Sequence, residues 1–136
     1  MKSKSKLIKN RRKSYRTSKN VLQSLRYAFS GIMYTFKNSR NFRIQVLCAF
    51  FSLALGSILQ IDKSGFLILI VTIFSVLILE ILNTSIESLV DLVVRKKYSN
   101  LAKIAKDCSA GAVLLTSINS VIIALYLFIP KINLLF

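Results

Sequence analysis

The sequence predicts an all-α integral membrane protein with an N-terminal amphipathic surface helix and three transmembrane helices. Of its 136 residues, 54% are hydrophobic, which is more than a soluble domain of this size carries. Three apolar segments approach or exceed the roughly 20 residues that an α-helix needs to cross a bilayer. Lys and Arg number 20 against five Asp and Glu, and most of these bases lie outside the apolar segments, as in membrane proteins of defined topology.

The first 19 residues are the most polar part of the chain. Residues 1–19 consist mainly of Lys, Arg, Ser and Asn, and such a segment cannot bury enough apolar surface to fold alone. We therefore expect a basic, flexible cytoplasmic arm, followed by a membrane domain over residues 20–136. That domain opens with residues 21–36, where apolar residues recur at steps of three and four. This spacing predicts an amphipathic helix lying on the membrane surface.

The membrane-spanning segments are predicted at about 42–59, 65–94 and 102–128. The loop after the first span carries Asp62 and Lys63, whereas the loop after the second is strongly basic. Because basic loops stay on the cytoplasmic side, the N-terminus and the second loop are expected in the cytoplasm and the chain in the cytoplasmic (inner) membrane. The basic residues around the second loop are Arg95, Lys96, Lys97 and Lys103.

The second span carries acidic residues on one face. Glu80, Glu87 and Asp91 are seven and eleven residues apart, which at 100° per residue places them within about 20° of one line. Asn83 lies one turn from both glutamates. Ionisable groups in a membrane helix are unfavourable unless they find partners or serve a function, so this face is the candidate functional site.

Two interpretations of the acidic face are open at this point. The acids could pair with Lys103 and Lys106 and hold a bundle together without chemistry. Alternatively, carboxylates could bind Mg²⁺ and accept a proton while Lys106 meets a phosphate, which are the requirements of phosphoryl transfer. The chain has no His and no glycine-rich phosphate loop, and its two cysteines, Cys48 and Cys108, have no metal-site spacing and are expected to pack in the core.

Several ordered motifs resemble the prokaryotic diacylglycerol kinase family. They are EILNTSIESLVDLV at 80–93, LAKIAKDCSAGAVLL at 101–115, YAFSGIMYTF at 27–36 and RNFRI at 40–44. The resemblance covers all of the chain except the arm. It implies a homotrimer of three-span subunits that transfers a phosphoryl group from ATP, with Mg²⁺, to the hydroxyl of a membrane lipid at the cytoplasmic interface.

The resemblance also implies roles for individual residues. Glu80 matches the catalytic base, Asn83 a residue that positions lipid and phosphate, and Glu87 a metal ligand that also contacts ATP. The expected ATP-binding residues are Tyr27, Glu87, Tyr98, Ser99, Lys106 and Asp107.

The chain departs from the family pattern at two positions. Ser39 stands where the family has a glutamate that serves as a second metal ligand, so Asn38, Asp91 or water would have to complete the coordination. Gln45 replaces a histidine that is common there. A poorer metal site would mean a slower or a repurposed enzyme.

The acceptor lipid and the catalytic role itself have alternatives. The scaffold serves diacylglycerol in some family members and undecaprenol in others, and diacylglycerol is the first expectation, with phosphatidic acid as product. A non-catalytic membrane adaptor with a basic arm is the rival from another class. On the third span, Ala105, Ser109 and Ala112 form a stripe of small residues that predicts close approach of a neighbouring helix.

Overall fold

The computed structural model describes residues 20–95 and 97–133. These residues form the helices α1 (Val21–Asn38), α2 (Arg40–Ile58), α3 (Lys63–Val94) and α4 (Asn100–Asn133). The expected arm, residues 1–19, lies outside the described residues. The chain divides into two compact units, one ending at Met33 and one running from Tyr34 onward.

The helices α2, α3 and α4 are each long and apolar enough to cross a membrane. The prediction of an all-helical chain with three spans and a helical N-terminal region is therefore confirmed. At 1.5 Å per residue, α3 and α4 run about 48 and 51 Å, so both extend beyond a hydrocarbon core of roughly 30 Å. Helix α4 continues past Pro130 to Asn133, further than the predicted end of the third span at 128.

Helix α1 is amphipathic, as its sequence predicts. Its N-terminal part exposes large apolar side chains that recur at steps of three and four residues, among them Leu22, Leu25, Phe29 and Ile32. A helix with one apolar face and Arg26 and Lys37 elsewhere has the composition of an interfacial helix. Its place on the membrane surface stays a prediction.

A single residue, Ser39, joins α1 to α2. Its backbone is extended, with φ −94° and ψ 119°, and its side chain caps α2 by accepting a hydrogen bond from the Phe42 amide. Its own amide donates to the Thr35 carbonyl oxygen at 2.8 Å, and the rings of Phe36 and Phe42 meet edge to face across the corner. The side chain of Ser39 is therefore held in a defined position.

Helix α3 lies between α2 and α4 and packs against both. Its buried residues form one stripe at steps of three and four: Gly65, Leu69, Thr72, Val76, Glu80 and Asn83. Apart from Thr72, the stripe is apolar as far as Val76, and it is polar at Glu80 and Asn83. The packing that buries Leu69 and Val76 therefore also carries Glu80 and Asn83 into the bundle.

Much of the apolar surface of the three long helices is exposed in the single chain, as expected for helices solvated by lipid. Cys48 and Cys108 are both exposed, so the prediction that they pack in the core is wrong. The physical reason is the arrangement of the bundle. Because α3 lies in the middle, α2 and α4 each bury one side only. Cys48 lines an open cleft between the helices and not a closed core.

Candidate functional site

Glu80 is the most deeply buried ionisable residue of the part of the chain that the structure describes, with 2% of its surface exposed. Its Oε1 accepts a hydrogen bond from Ser39 Oγ at 2.7 Å. Its Oε2 accepts one from Gln45 Nε2 at 3.3 Å. A buried carboxylate is tolerated where donors satisfy its oxygens, and here both donors come from α2 and its cap.

Asn83 and Glu87 continue the same face of α3. Asn83 Nδ2 donates to Glu87 Oε1 at 3.3 Å, and Ser109 Oγ of α4 lies 2.6 Å from Asn83 Oδ1. Ser109 Oγ also lies 2.9 Å from the Lys106 carbonyl oxygen, so its one hydrogen has two acceptors. Donation to Asn83 Oδ1 goes with the orientation in which the amide NH₂ group faces Glu87. Of the predicted small-residue stripe on α4, Ser109 contacts α3, whereas Ala105 and Ala112 are exposed in the single chain.

These groups line a polar groove of about 320 Å³. Its walls come from the α1–α2 corner on one side and from the acidic face of α3 on the other. The lining residues that carry polar groups are Tyr34, Asn38, Ser39, Arg40, Asn41, Glu80, Asn83, Thr84, Glu87, Ser88 and Asp91. The catalytic, positioning and metal-binding residues that the sequence predicts thus lie together in one groove.

Most of the predicted ATP-binding residues lie around a second, more open groove of about 470 Å³ between α3, α4 and the loop that joins them. It is lined by Tyr98, Ser99, Lys106 and Asp107, together with the basic residues Lys97 and Lys103. A basic groove at a helix junction suits a polyphosphate. Glu87 belongs to the first groove instead.

Asp91 connects the two grooves, because it lines both. Its Oδ1 lies 3.0 Å from Lys106 Nζ, in an ion pair whose side chains are 66% and 38% exposed. Such an exposed pair contributes little to stability. The interpretation of the acids as structural glue therefore fits Asp91 alone, since the hydrogen bonds described for Glu80 and Glu87 come from uncharged side chains.

The tyrosines and Ser99 occupy exposed or capping positions. Tyr98 is 81% exposed and donates its hydroxyl to Asn100 Oδ1 at 2.7 Å. Ser99 Oγ accepts a hydrogen bond from the Ala102 amide at 3.4 Å, which makes it the cap of α4. Tyr27 lies on α1, where its hydroxyl accepts a hydrogen bond from Gln23 Nε2 at 2.9 Å.

An apolar cleft of about 360 Å³ lies between α2, α3 and α4. Leu69, Ile73 and Val76 of α3 form part of its wall, and Gln45 of α2 lines it as well. Gln45 therefore contacts both the apolar cleft and, through its Nε2, the buried carboxylate of Glu80. Gln45 thereby links the wall of the apolar cleft to a carboxylate that lines the polar groove.

Sequence reasoning missed the roles of three polar residues. Ser39 and Gln45 stood out only as departures from a family pattern, and their common contact with Glu80 depends on the packing of α2 against α3. Ser109 was recognised for its size and not for its hydrogen bond to Asn83. The signal available in the sequence was the location of Ser39 directly before the RNFRI helix start, which is the usual place for a capping serine.

Magnesium requires oxygen ligands, and the first groove offers them. Within the described residues, no group of three or more His, Cys, Asp and Glu side chains is close enough to form a metal site. Mg²⁺ in kinases is typically held by one or two carboxylates together with substrate phosphates. Glu87, half-buried and beside the Asn83 amide, fits that requirement.

The chain is similar to known kinases over most of its length. The family model for prokaryotic diacylglycerol kinase matches residues 26–128. A diacylglycerol kinase of Synechocystis sp. is 43% identical over 120 residues, covering 88% of this chain and 69% of that protein. An undecaprenol kinase of Bacillus subtilis is 37% identical over 120 residues, which cover 88% and 97%. A diacylglycerol kinase of Escherichia coli is 29% identical over 102 residues, which cover 75% and 83%.

The family match extends over α2, α3 and nearly all of α4, and it therefore includes both grooves. The relatives are kinases, which overturns the adaptor alternative. The chain belongs to the prokaryotic diacylglycerol kinase family and is a multi-pass membrane lipid kinase.

Proposed function

We propose that the protein phosphorylates diacylglycerol with ATP, and so forms phosphatidic acid at the cytoplasmic face of the inner membrane. The observation that carries this proposal is the buried Glu80 carboxylate, which lines the polar groove and accepts a hydrogen bond from Gln45, a residue of the apolar cleft's wall. A lipid alcohol combines an apolar body with one hydroxyl. The site has the same combination of surfaces.

Glu80 is the proposed general base. Its burial and its two neutral donors hold the carboxylate beside Gln45 of the cleft wall. There it accepts the proton of the lipid hydroxyl as the oxygen attacks the γ-phosphorus. The bond from that oxygen to phosphorus forms while the bond to the ADP oxygen breaks. The transfer is direct, so no phosphorylated protein side chain is required.

Glu87 is the proposed ligand of Mg²⁺, with Asn83 orienting it through the hydrogen bond to Oε1. The metal ion, when bound, neutralises charge on the ATP phosphates. Ser109 fixes the Asn83 amide from the opposite side. These three residues form a chain of hydrogen bonds that holds the Glu87 carboxylate in the polar groove.

The second groove is the proposed ATP site. Lys106 is proposed to offset charge on the transferred phosphoryl group, and Asp107, Tyr98 and Ser99 line the same groove. Asp91 holds Lys106 at the boundary between the two grooves. Tyr27 on α1 is proposed to contact the nucleotide as well, on the strength of the family resemblance.

Membrane orientation and assembly are part of the proposal. The basic residues around the α3–α4 loop support a cytoplasmic location for that loop and for the N-terminus, and the proposed ATP groove lies at this loop. A homotrimer is proposed from the family resemblance. The broad apolar surfaces of α2 and α4 that a single chain leaves exposed are compatible with contacts between subunits and with lipid.

Undecaprenol is the second candidate acceptor. The Bacillus subtilis relative that matches over 97% of its length is an undecaprenol kinase. Both lipids present one primary hydroxyl at the interface, and the geometry of the groove fits both of them.

The deciding experiment is transfer of labelled γ-phosphate from ATP in detergent micelles that contain either diacylglycerol or undecaprenol, with and without Mg²⁺. We expect label in diacylglycerol, and only when Mg²⁺ is present. Label in undecaprenol alone would replace the proposed acceptor. Label in neither lipid would contradict the proposal.

Glu80→Gln tests the base. The amide keeps the shape of the side chain but cannot accept the proton, so we expect turnover to fall by about 10²- to 10⁴-fold, the usual contribution of a general base. Ser75→Ala, an exposed hydroxyl on the same helix that bonds the Val71 carbonyl oxygen, is the matched control. Full turnover of Glu80→Gln would rule out the assignment.

A further inference from the structure

We infer that Ser39 and Gln45 are positioning residues that hold the Glu80 carboxylate from both of its oxygens. Ser39 then does not stand in for the family's metal-ligand glutamate but serves the base directly. The inference rests on the proposed role of Glu80. It assigns a function to both positions at which the chain departs from its family.

The geometry at Ser39 leaves the hydroxyl little freedom. Its oxygen accepts a hydrogen bond from the Phe42 amide at 3.1 Å, and it donates its only hydrogen to Glu80 Oε1 at 2.7 Å. The short second distance is typical of a hydroxyl that donates to a carboxylate. Because the α1–α2 corner fixes the backbone of Ser39, the direction of this hydrogen bond is fixed as well.

Two of the three hydrogen-bonding capacities of Ser39 Oγ are thus in use. A hydroxyl is already a weaker Mg²⁺ ligand than a carboxylate, and binding a cation through the remaining lone pair would weaken its capping and donor roles further. The same atom is well placed for a different task, since it touches the proposed base. The geometry therefore favours positioning over metal binding.

Gln45 supplies the second contact. Its Nε2 donates to Glu80 Oε2 at 3.3 Å, while its Oε1 is buried without a hydrogen-bond partner among the described residues. An unpaired buried carbonyl is unfavourable, and turning the amide over would remove the contact with Glu80. It would also point a carbonyl oxygen at the carboxylate. The observed orientation is therefore set by the need to donate to Glu80.

The two contacts together restrain both rotation and tilt of the carboxylate plane. One donor on one oxygen would still allow the group to turn about that hydrogen bond. With donors on both oxygens, the remaining lone pairs of the Glu80 carboxylate keep one direction relative to Gln45. Gln45 also lines the apolar cleft, so that direction is fixed relative to the cleft wall. A base held this way meets the lipid hydroxyl without reorganisation, which is where positioned groups gain rate.

The test uses the full chain in micelles and three variants of Ser39. Ser39→Thr keeps the cap and the donor, Ser39→Ala removes both, and Ser39→Asp keeps the cap but cannot donate to Glu80. We expect Thr to retain kcat within about threefold, and Ala and Asp to lower kcat by about tenfold to a hundredfold, the range for a misplaced catalytic group. The KM for ATP and the half-saturating Mg²⁺ concentration should stay near the native values in Ser39→Ala.

Other roles for Ser39 predict different results. If Ser39 served only as a helix cap, Ser39→Asp would have native kcat, because aspartate caps as well as serine. If it were a metal ligand, Ser39→Asp would lower the Mg²⁺ requirement and Ser39→Ala would raise it. Either result overturns the inference.

Gln45 is tested with two replacements of similar size. Gln45→Leu removes the donor, and Gln45→Glu replaces it with a second carboxylate facing Glu80. Both should lower kcat more than they change the KM for ATP, since the contact acts on the base and not on the nucleotide. Native kcat in Gln45→Leu would overturn the role of this residue. Ser75→Ala, prepared and assayed in the same way, is again the control variant.

The Glu80 variant separates a failure of the proposed mechanism from a failure of the positioning role. If Glu80→Gln retains activity, the proposed mechanism is wrong and the role of Ser39 loses its basis. If Glu80→Gln is inactive while Ser39→Ala and Gln45→Leu have native kcat, the mechanism stands and this inference is wrong.

Discussion

At the scale of single residues, the site is a set of carboxylates whose environments differ. Glu80 is buried and receives two neutral hydrogen bonds, Glu87 is half-buried beside an amide, and Asp91 is exposed and paired with Lys106. Three acids on one helix face therefore have three different surroundings. Such differences allow carboxylates to serve different functions in one reaction.

Helix α4 contacts the acidic face of α3 through Ser109, which hydrogen-bonds Asn83. Ser109→Ala removes the hydrogen bond to Asn83 Oδ1, so the amide is no longer held toward Glu87. We expect kcat/KM for ATP with Mg²⁺ to fall by about tenfold, equivalent to about 1.4 kcal/mol, with little loss of thermal stability. Steady-state kinetics at a fixed lipid concentration and varied ATP would measure this fall in kcat/KM.

Thr116→Ala is the control for Ser109→Ala, because its hydroxyl bonds only the Ala112 carbonyl oxygen of its own helix. Equal effects of the two variants would mean that the Ser109–Asn83 contact has no part in the site.

Replacing Lys106 distinguishes a role in ATP binding from a role in holding the helices together. Because its ion pair with Asp91 is exposed, Lys106→Met should change the free energy of unfolding by less than about 1 kcal/mol. The KM for ATP should rise by about tenfold or more, since a cation would be missing from the ATP groove. Lys63→Met, at the opposite end of α3, should change neither quantity. A large loss of stability with an unchanged KM would favour the glue interpretation.

At the scale of elements, the turn between α2 and α3 shows why small residues are placed where helices meet. A Cβ atom added at Gly56 would lie 3.2 Å from Ile61 Cδ1 and 3.4 Å from both Leu69 Cδ2 and Phe66 Cε2. The absence of a side chain lets α2 end close against the start of α3. Gln45 lies on the same helix, and Ser39 caps its other end.

Gly56→Leu should therefore destabilise the protein, by about 1–3 kcal/mol as for other overpacked sites. Gly111 of α4 is the matched control, because a Cβ there would meet no atom within 4 Å. Thermal unfolding in micelles should show a lower midpoint for Gly56→Leu and no loss for Gly111→Leu. A native midpoint for Gly56→Leu would mean that the α2–α3 turn adapts freely.

At the scale of the whole molecule, three spans place the α2–α3 turn and the α3–α4 loop on opposite sides of the membrane. In a variant without Cys48 and Cys108, a cysteine introduced by Lys97→Cys should react with a membrane-impermeant maleimide only after the cells are permeabilised. One introduced by Lys63→Cys should react in intact spheroplasts. The reverse pattern would contradict the proposed orientation.

The sequence alone determined the helical class, the three spans and the acidic face of α3. These follow from apolar composition and from a spacing of three and four residues, both of which are local properties of the chain. The motif order around Glu80 and Lys106 was also sufficient to identify the family. Residue burial was less predictable, as the exposed Cys48 and Cys108 show.

Only the tertiary structure decided what surrounds each carboxylate. The contacts of Ser39 and Gln45 with Glu80 join residues 41 and 35 positions apart, and that of Ser109 with Asn83 joins residues 26 apart. No local pattern encodes such pairs, because they depend on how α2 and α4 pack against α3. The sequence therefore determined which residues could do chemistry, and helix packing decided which hydrogen bonds hold them in place.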